Sequence, residues 1–401
     1  MDNITGPAVV GGNYLRTRLY LVDKLRDYVE RASVLIDAPR RFGKTSVIRE
    51  FQRQEEERDN FHVLFFEVEG IESVHKFYEK LVEELIQLYW KRKYWATIKD
   101  ITSGVISLVK TNIAKIGIPG FSMELRDITR DMKTEDLRGE LETLIKHLNS
   151  LNKTTVLIFD EFPDMLLNIK KTAPNDYINT VDNLTAWLRT LRQNSTQNKY
   201  QFVFCGSINI RKTLADIGLT KRIADLEPFK VPPLEEDEAK ILVEELLQSK
   251  GISIEPDAMT FLISKIKNDS AYYGQLIVQP LIEKRKAHFT LDMATRAYNE
   301  MIHGDSNNLS QFYERLNEYY DPIQRDYAKM VLKLLCNGTM DEQQLYNLHF
   351  SSAIADPDTF HEVVGRLIFE GYILEDPTDF GKLRFASQIL KDWWGCKHVR
   401  L

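Results

Sequence analysis

Residues 33–51, SVLIDAPRRFGKTSVIREF, join an apolar run, a tight loop ending in Gly43-Lys44-Thr45, and an amphipathic run. That order predicts a strand, a phosphate-binding loop and a helix. In such a loop, backbone N–H groups and the lysine ammonium bind the phosphates of a nucleoside triphosphate, and the threonine hydroxyl binds Mg²⁺. The helix that begins near Lys44 adds the positive end of its dipole. The residues predicted to bind ATP are Pro39, Arg40, Arg41, Phe42, Gly43, Lys44, Thr45 and Ser46.

Ala38 stands where the phosphate-loop pattern G-x-x-x-x-G-K-S/T has its first glycine. The difference matters only if the backbone at this position needs a positive φ, which glycine adopts freely and alanine does not. A chance Gly-Lys-Thr at the start of a helix is the alternative interpretation. The strand-like run before the loop and the helical pattern after it are the context that supports the motif, so we favour a phosphate loop.

The chain has 401 residues, enough for two or three domains, and a net charge of −6. That charge provides no overall field to attract nucleic acid or an anionic membrane. The three cysteines are far apart and lack C-x-x-C spacing, which argues against a disulfide framework or a zinc site. The first twelve residues show no signal-peptide pattern, and Lys110, Lys115 and Pro119 interrupt the apolar segment 103–122. We therefore expect a cytoplasmic protein without a membrane segment.

Further apolar runs occur at 61–68, 156–159 and 202–205, with helical patterns between them. Strands that alternate with helices predict a parallel sheet buried on both faces. A short run from Glu227 to Val231 is expected to be its last strand. Residues 96–135 mix alternation with helical spacing around a Pro-Gly pair, and we interpret them as an insertion.

After Pro232-Pro233 the pattern is helical to about residue 300. The remainder predicts helices at 326–335, 341–348 and 357–369, followed by two short strands. Three helices and a two-stranded ribbon indicate a winged helix. The expected domains are a P-loop ATPase core at 1–232, a helical domain at 233–305 and a winged helix at 306–401.

Asp160 and Glu161 follow the apolar run TTVLIF. Ligands of open α/β sheets bind at the carboxyl ends of the strands, so this acidic pair is expected to face the phosphate loop. Asp160 can hold Mg²⁺ together with Thr45, and Glu161 can polarise the attacking water. The alternative is that both acids merely cap the following segment. With a phosphate loop upstream, we favour the catalytic half of an ATPase.

Two weaker candidates lie in and after the run FVFCGS at 202–207. Ser207 stands where enzymes of this architecture place a side chain that senses the γ-phosphate or aligns the water, and Asn209 is the reserve candidate. Arg222 is the candidate for a cation that acts on the γ-phosphate of a neighbouring subunit. A solvated arginine is an equal alternative, because only position selects Arg222 over Arg211 or Lys221.

At these residues the chain resembles the archaeal-type ATPases, a branch of the AAA+ and STAND P-loop NTPases related to origin-recognition ATPases. The similarity covers nearly the whole chain except residues 96–135. The segments that carry it are GPAVVGGNYLRTRLYLVDKL (6–25), APRRFGKTS (38–46), VEGIES (68–73), VLIFDEFPDML (156–166), FVFCGSINIRKTL (202–214), VPPLEEDEAKILVEELL (231–247) and LRFASQILKDWW (383–394).

The resemblance implies an α/β fold with a P-loop AAA+-type parallel sheet and helices on both faces, followed by an α-helical lid and a C-terminal winged helix. One departure lies at 269–273, Asp-Ser-Ala-Tyr-Tyr, where the family has a Gly-x-Pro element that touches the nucleotide. No arginine in this segment can serve as a sensor 2 cation. The residues whose roles the resemblance implies are Lys44 and Thr45 for phosphate and Mg²⁺, Asp160 and Glu161 as the Walker B pair, and Ser207 as sensor 1.

Two functions fit this sequence. The first is a Mg²⁺-dependent ATPase switch that controls a protein partner through nucleotide-dependent domain rearrangement, as a single chain or a homo-oligomer. The second is an ATP-dependent DNA-binding protein of the origin-recognition type. Residues 326–401 carry 8 Lys and Arg against 11 Asp and Glu, too few cations to neutralise many DNA phosphates, so we favour the protein partner. A scaffold that binds ATP without hydrolysis is a further alternative, disfavoured because Asp160 and Glu161 are both present.

Overall fold

The computed structural model describes residues 1–91, 129–193, 199–206, 209–304, 307–350, 356–376 and 379–399. They divide into two units, each with its own hydrophobic core. The sheet unit is Asp23–Asp37 and Phe51–Lys230, and the helical unit is Met1–Val22, Ala38–Glu50 and Val231–Leu401. The predicted insertion at 96–135 lies outside the described residues except for its last seven positions.

The sheet has five strands in the order β2-β3-β4-β1-β5, and every neighbouring pair is parallel. Their bounds are β1 (Val34–Asp37), β2 (Phe61–Glu67), β3 (Thr154–Asp160), β4 (Tyr200–Phe204) and β5 (Glu227–Lys230). All residues of β3 after the first are buried, as expected for a strand covered on both faces. The predicted parallel sheet is confirmed.

Seven α-helices precede β5 among the described residues: α1 (Leu19–Arg31), α2 (Lys44–Arg58), α3 (Val74–Lys91), α4 (Thr134–His147), α5 (Phe162–Thr172), α6 (Tyr177–Gln193) and α7 (Ile210–Ala215). Helix α4 illustrates how the sequence selects them, because Leu137, Leu141 and Leu144 recur at helical spacing and are all buried. This apolar face packs against α3, where the Tyr89 hydroxyl donates a hydrogen bond to the Leu144 carbonyl at 2.8 Å.

The helical unit continues after β5 with four helices and a two-stranded parallel ribbon: α8 (Glu236–Gln248), β6 (Ser253–Ile254), α9 (Pro256–Ile266), α10 (Ala271–Glu283), β7 (His288–Phe289) and α11 (Leu291–His303). A capping box starts α8, because the Glu235 and Glu238 side chains each accept a hydrogen bond from a backbone N–H there. Gly274 allows α10 to approach α8 closely, since a Cβ at this position would lie 2.5 Å from Leu242 Cδ2.

The C-terminal part contains α12 (Asn307–Tyr319), α13 (Pro322–Leu335), β8 (Met340–Asp341), α14 (Glu342–Phe350), α15 (Pro357–Phe369), β9 (Ile373–Glu375), β10 (Lys382–Phe385) and α16 (Gln388–Trp394). Strand β10 pairs antiparallel with both β8 and β9. The three helices predicted here correspond to α13, α14 and α15. The sequence pattern missed β8, because two residues are too few to show alternation. The winged-helix assignment stays a prediction.

The two units differ from the sequence-based domain limits in two respects. The predicted helical domain and the predicted winged helix fall in one unit, Val231–Leu401 being undivided. Residues 1–22 and 38–50 group with the helical unit, although both lie in the predicted core at 1–232. The later boundary falls between Lys230 and Val231. The limits 1–232, 233–305 and 306–401 stay a prediction. Within the described ranges, no helix is long and apolar enough to cross a membrane.

Candidate active site

The loop between β1 and α2 takes left-handed backbone at Arg41 (φ 69°) and Gly43 (φ 85°), and not at Ala38. An alanine in place of the first glycine of the motif is therefore compatible with this backbone. The Phe42 N–H donates a hydrogen bond to the Pro39 carbonyl at 3.4 Å, and the Phe42 ring is buried. The loop is thus closed on itself before the helix begins.

Lys44 is the first residue of α2 and is buried. Its ammonium donates hydrogen bonds to the carbonyls of Ala38 at 2.7 Å and Pro39 at 3.0 Å, so its charge is held at the loop. Thr45 follows in the first turn of α2, where backbone N–H groups have no acceptor within the helix. The loop therefore combines a cation, a hydroxyl and a helix N-terminus, a set of groups that suits phosphate.

The N-terminal segment is fastened to the first turns of α2. The Val9 N–H donates to Ser46 Oγ at 3.2 Å, and the Gly11 N–H donates to Glu50 Oε2 at 2.7 Å. Glu50 is only 1% exposed, so its carboxylate is withdrawn from water and its bond to Gly11 is correspondingly strong. These contacts give the GPAVVGG segment a structural role beside the loop.

Asp160 and Glu161 occupy the turn where β3 ends. Asp160 is the last residue of β3, and its carbonyl accepts a hydrogen bond from the Val68 N–H at 3.1 Å. Glu161 is the N-cap of α5 with left-handed backbone (φ 58°), and its N–H lies 3.2 Å from Asp160 Oδ1. Asp160 is buried, whereas Glu161 is partly exposed. The two carboxylates therefore differ in environment although they are adjacent in sequence.

Cys205 and Gly206, which follow β4, contact this turn directly. The Cys205 thiol donates a hydrogen bond to Asp160 Oδ1 at 3.0 Å. At Gly206, a Cβ would lie 2.5 Å from Pro163 Cδ and 3.3 Å from Glu161 Oε2. Sequence reasoning missed both residues, although each belongs to the run FVFCGS that it had singled out. Adjacent parallel strands bring them to the acidic pair.

Three other predicted residues have mixed outcomes. Ser207 lies outside the described residues. Asn209 accepts a hydrogen bond from the Lys212 N–H at 3.1 Å and so caps α7. Arg222 donates to Asp182 Oδ1 at 2.6 Å, and this hydrogen bond lowers the pKa of Asp182 and raises that of Arg222. Its role toward a neighbouring subunit stays a prediction.

The strand order explains why the segments that carry these residues begin at the same edge of the sheet. β4 lies between β1 and β3, so the segments that leave the carboxyl ends of all three strands begin at one edge of the sheet. The 38–43 loop leaves from β1, the Cys205-Gly206 segment from β4 and the Asp160-Glu161 turn from β3. This is the edge at which open α/β sheets bind ligands.

Comparison with known proteins agrees with this arrangement. Residues 27–214 match the family model described as AAA domain. The Walker-type ATPase PABY2304 of Pyrococcus abyssi superposes with a TM-score of 0.63 at 12% identity, covering 98% of this chain and 99% of its own. The ORC2 protein of Aeropyrum pernix, in its ADPNP–ADP complexes, has a TM-score of 0.52 at 13% identity and covers 96% of each chain. No curated protein sequence matches this chain.

The fold is therefore a P-loop α/β fold of the AAA+ type, with a phosphate-loop motif between β1 and α2. The residues that match the AAA domain, 27–214, run from within α1 to within α7. The predicted AAA+-type sheet with a helical C-terminal region is confirmed, and the match to an AAA domain agrees with the resemblance to AAA+ proteins. At such low identity the two solved structures establish the fold alone.

The close approach of Gly206 to the acidic turn leads to a prediction. A methyl group in Gly206→Ala must displace Pro163 or the Glu161 carboxylate, and a misplacement of about 1 Å can cost roughly 100-fold in rate. We expect ATP turnover to fall at least about tenfold, with ATP affinity within about twofold of wild type. Steady-state kinetics and nucleotide titration measure both.

The control is Gly139→Ala, because a Cβ at Gly139 in α4 meets nothing within 4 Å. This variant should match wild type in turnover and affinity. Normal turnover in Gly206→Ala would contradict the importance of this contact.

Proposed function

We propose that this protein is a Mg²⁺-dependent ATPase that works as a STAND-like molecular switch, in which ATP binding and hydrolysis rearrange the domains and control a protein partner. The main support is the position of Asp160 and Glu161 at the carboxyl end of β3, in the sheet whose β1 leads into Gly43-Lys44-Thr45. Those two segments leave the same edge of a parallel sheet, where ligands bind. We expect the protein to act in the cytoplasm.

The residues present suit a nucleotide with Mg²⁺. Left-handed backbone at Gly43, the Lys44 ammonium and the N-terminus of α2 suit the phosphates. The Thr45 hydroxyl and the Asp160 carboxylate are oxygen donors, which Mg²⁺ prefers. When bound, Mg²⁺ would neutralise charge on the phosphates. We thus propose that Lys44 binds the phosphates of ATP and that Thr45 and Asp160 together hold Mg²⁺.

Glu161 is the proposed base that orients and polarises the attacking water. It is the more exposed of the two acids, and it sits in a left-handed N-cap turn that Pro163 follows closely. Asp160 is less suited to this task, because it is buried and accepts hydrogen bonds from Cys205 and from the Glu161 N–H. The division of roles follows from these environments.

Two substitutions test the site. Lys44→Ala should abolish ATP binding, because it removes the cation at the loop. Glu161→Gln should keep ATP affinity and lower turnover by about 10²-fold or more, since the amide cannot act as a base. Titration with a labelled ATP analogue and phosphate release measure the two effects. Lys76→Ala, an exposed lysine paired with Glu72, is the matched control.

Two outcomes would contradict these roles. Equal ATP affinity in wild type and Lys44→Ala would refute the nucleotide site. Turnover at the wild-type rate in Glu161→Gln would reassign the base. Wild-type protein that binds ATP without hydrolysing it would favour the alternative of an ATP-binding scaffold.

We also propose that the chain forms a homo-oligomer in which Arg222 acts on the nucleotide of a neighbour. Its ion pair with Asp182 in the same chain must then be exchanged on assembly. An arginine supplied in trans can contribute roughly 10³-fold in rate. Specific activity should therefore fall on dilution and in Arg222→Ala. Activity that is constant across the range where the protein dissociates would exclude this role.

The choice between a protein and a DNA partner depends on α15, the presumed recognition helix. The Arg366 guanidinium lies 3.9 Å from the Tyr320 ring centroid and donates to the Tyr319 carbonyl at 2.8 Å and to Gln324 Oε1 at 3.1 Å. His361 Nδ1 lies 2.6 Å from Glu342 Oε1. Both basic residues of α15 are thus engaged within the chain, which leaves little to neutralise DNA phosphates and supports the protein partner.

Salt-dependent DNA binding tests this choice. With ATP and Mg²⁺ present, we expect labelled duplex to bind weakly, with a salt slope of only about one or two phosphates. Fluorescence anisotropy at several salt concentrations measures both quantities. A dissociation constant below about 10⁻⁷ M near physiological salt, against the roughly 10⁻⁴ to 10⁻⁶ M of non-specific contact, would promote the origin-recognition alternative.

A further inference from the structure

The side chain of Arg41, in the middle of the phosphate loop, lies against two helices of the helical unit. Its guanidinium carbon is 4.0 Å from the ring centroid of Tyr272 in α10 and 5.1 Å from that of Phe312 in α12. Nη2 donates a hydrogen bond to Gln311 Oε1 at 2.7 Å, and Nη1 lies 3.5 Å from the Asn308 carbonyl. Sequence reasoning grouped Arg41 with the phosphate-binding residues; its guanidinium is used here for protein contacts.

The surface that receives Arg41 is a buried aromatic cluster of Tyr272, Tyr273, Phe312 and Tyr372. Neighbouring rings in the cluster lie 5.2 to 6.4 Å apart, and the Tyr372 hydroxyl donates to the Phe312 carbonyl at 2.7 Å. Desolvation by this cluster lowers the pKa of Arg41 to about 10, so the guanidinium remains charged at neutral pH. A charged, desolvated guanidinium on aromatic faces makes a stronger cation–π contact than an exposed one.

Arg41 also has the backbone conformation that distinguishes this loop. Its φ of 69° is left-handed, which is costly for any residue other than glycine and persists only where surrounding contacts impose it. Pro39 and Arg40 of the same loop lie close to Gly371, which follows α15. A Cβ on Gly371 would lie 3.3 Å from the Arg40 carbonyl oxygen and 3.4 Å from Pro39 Cβ. The loop therefore rests on C-terminal elements at several points.

We propose that Arg41 is a positioning residue that holds the phosphate loop in its ATP-binding conformation by anchoring it to α10 and α12. This inference rests on the proposed ATPase function. The anchor makes ATP affinity depend on residues such as Gln311 that have no predicted contact with the nucleotide. Because coupling between sites is reciprocal, ATP binding in turn stabilises the contacts of Arg41 with these helices. The phosphate loop thereby couples nucleotide binding to the C-terminal elements.

A direct contact between Arg41 and phosphate is the competing interpretation, and glycine separates the two. Arg41→Ala removes the anchor and leaves a residue that resists left-handed backbone, whereas Arg41→Gly removes the anchor and tolerates that backbone. If Arg41 positions the loop, glycine should restore affinity that alanine loses. If Arg41 binds phosphate, both variants lose that charge, and Arg41→Gly should also bind ATP much more weakly than wild type.

The experiment is a titration of Mg²⁺-ATP against wild type, Arg41→Ala, Arg41→Gly, Gln311→Ala and the Arg41→Ala/Gln311→Ala double variant. We expect affinity to fall about tenfold in Arg41→Ala and about threefold in Gln311→Ala, with Arg41→Gly within about threefold of wild type. The double variant should be no weaker than Arg41→Ala, because both changes break one contact. Arg296→Ala, an exposed arginine on α11, should match wild type.

Thermal unfolding without nucleotide confirms that each variant is folded, and the exposed Gln311→Ala change tests the contact even if Arg41→Ala does not fold. Wild type that binds no ATP would defeat the proposed function itself. Wild type that binds ATP while Arg41→Ala binds equally well would overturn this inference alone. Arg41→Gly as weak as Arg41→Ala, or Gln311→Ala at wild-type affinity, would also overturn it.

Discussion

The hydrogen-bond ladder between β3 and β4 continues past the ends of both strands, and the candidate site depends on this continuation. The Cys205 N–H donates to the Phe159 carbonyl at 3.1 Å, and the Phe162 N–H donates back to the Cys205 carbonyl at 3.1 Å. These two bonds fix the turn at Asp160 and Glu161 against the segment after β4. A carboxylate pair at the end of a sheet would otherwise lie in a mobile loop, and catalytic groups need fixed geometry.

The geometry of the phosphate loop is likewise fixed by contacts with other segments. Left-handed backbone at Gly43 requires no support, because glycine adopts it freely, whereas the same conformation at Arg41 is maintained by contacts of its side chain with α10 and α12. The loop is therefore shaped partly by its own sequence and partly by residues more than two hundred positions away.

The sequence predicted the parts of this protein that local pattern controls. Apolar runs and helical spacing identified β1 to β5 and the helices α13 to α15, and the motif identified Lys44. It could not identify Cys205 as a partner of Asp160, because strand order decides which segments are neighbours. It could not show that Arg41 faces aromatic rings, because the direction of a side chain depends on tertiary packing. Whether position 38 requires a positive φ, and therefore glycine, could be decided only from the backbone dihedral angle in the structure.

We propose that nucleotide state changes the C-terminal elements. The most direct test is hydrogen–deuterium exchange of the hydrolysis-blocked Glu161→Gln protein, compared between Mg²⁺-ATP and Mg²⁺-ADP. We expect amide protection to differ in α12 and in the segment from α15 to β9, as well as in the phosphate loop. A difference confined to residues 38–50 and the ends of β3 and β4, with α12 and α15 unchanged, would contradict it.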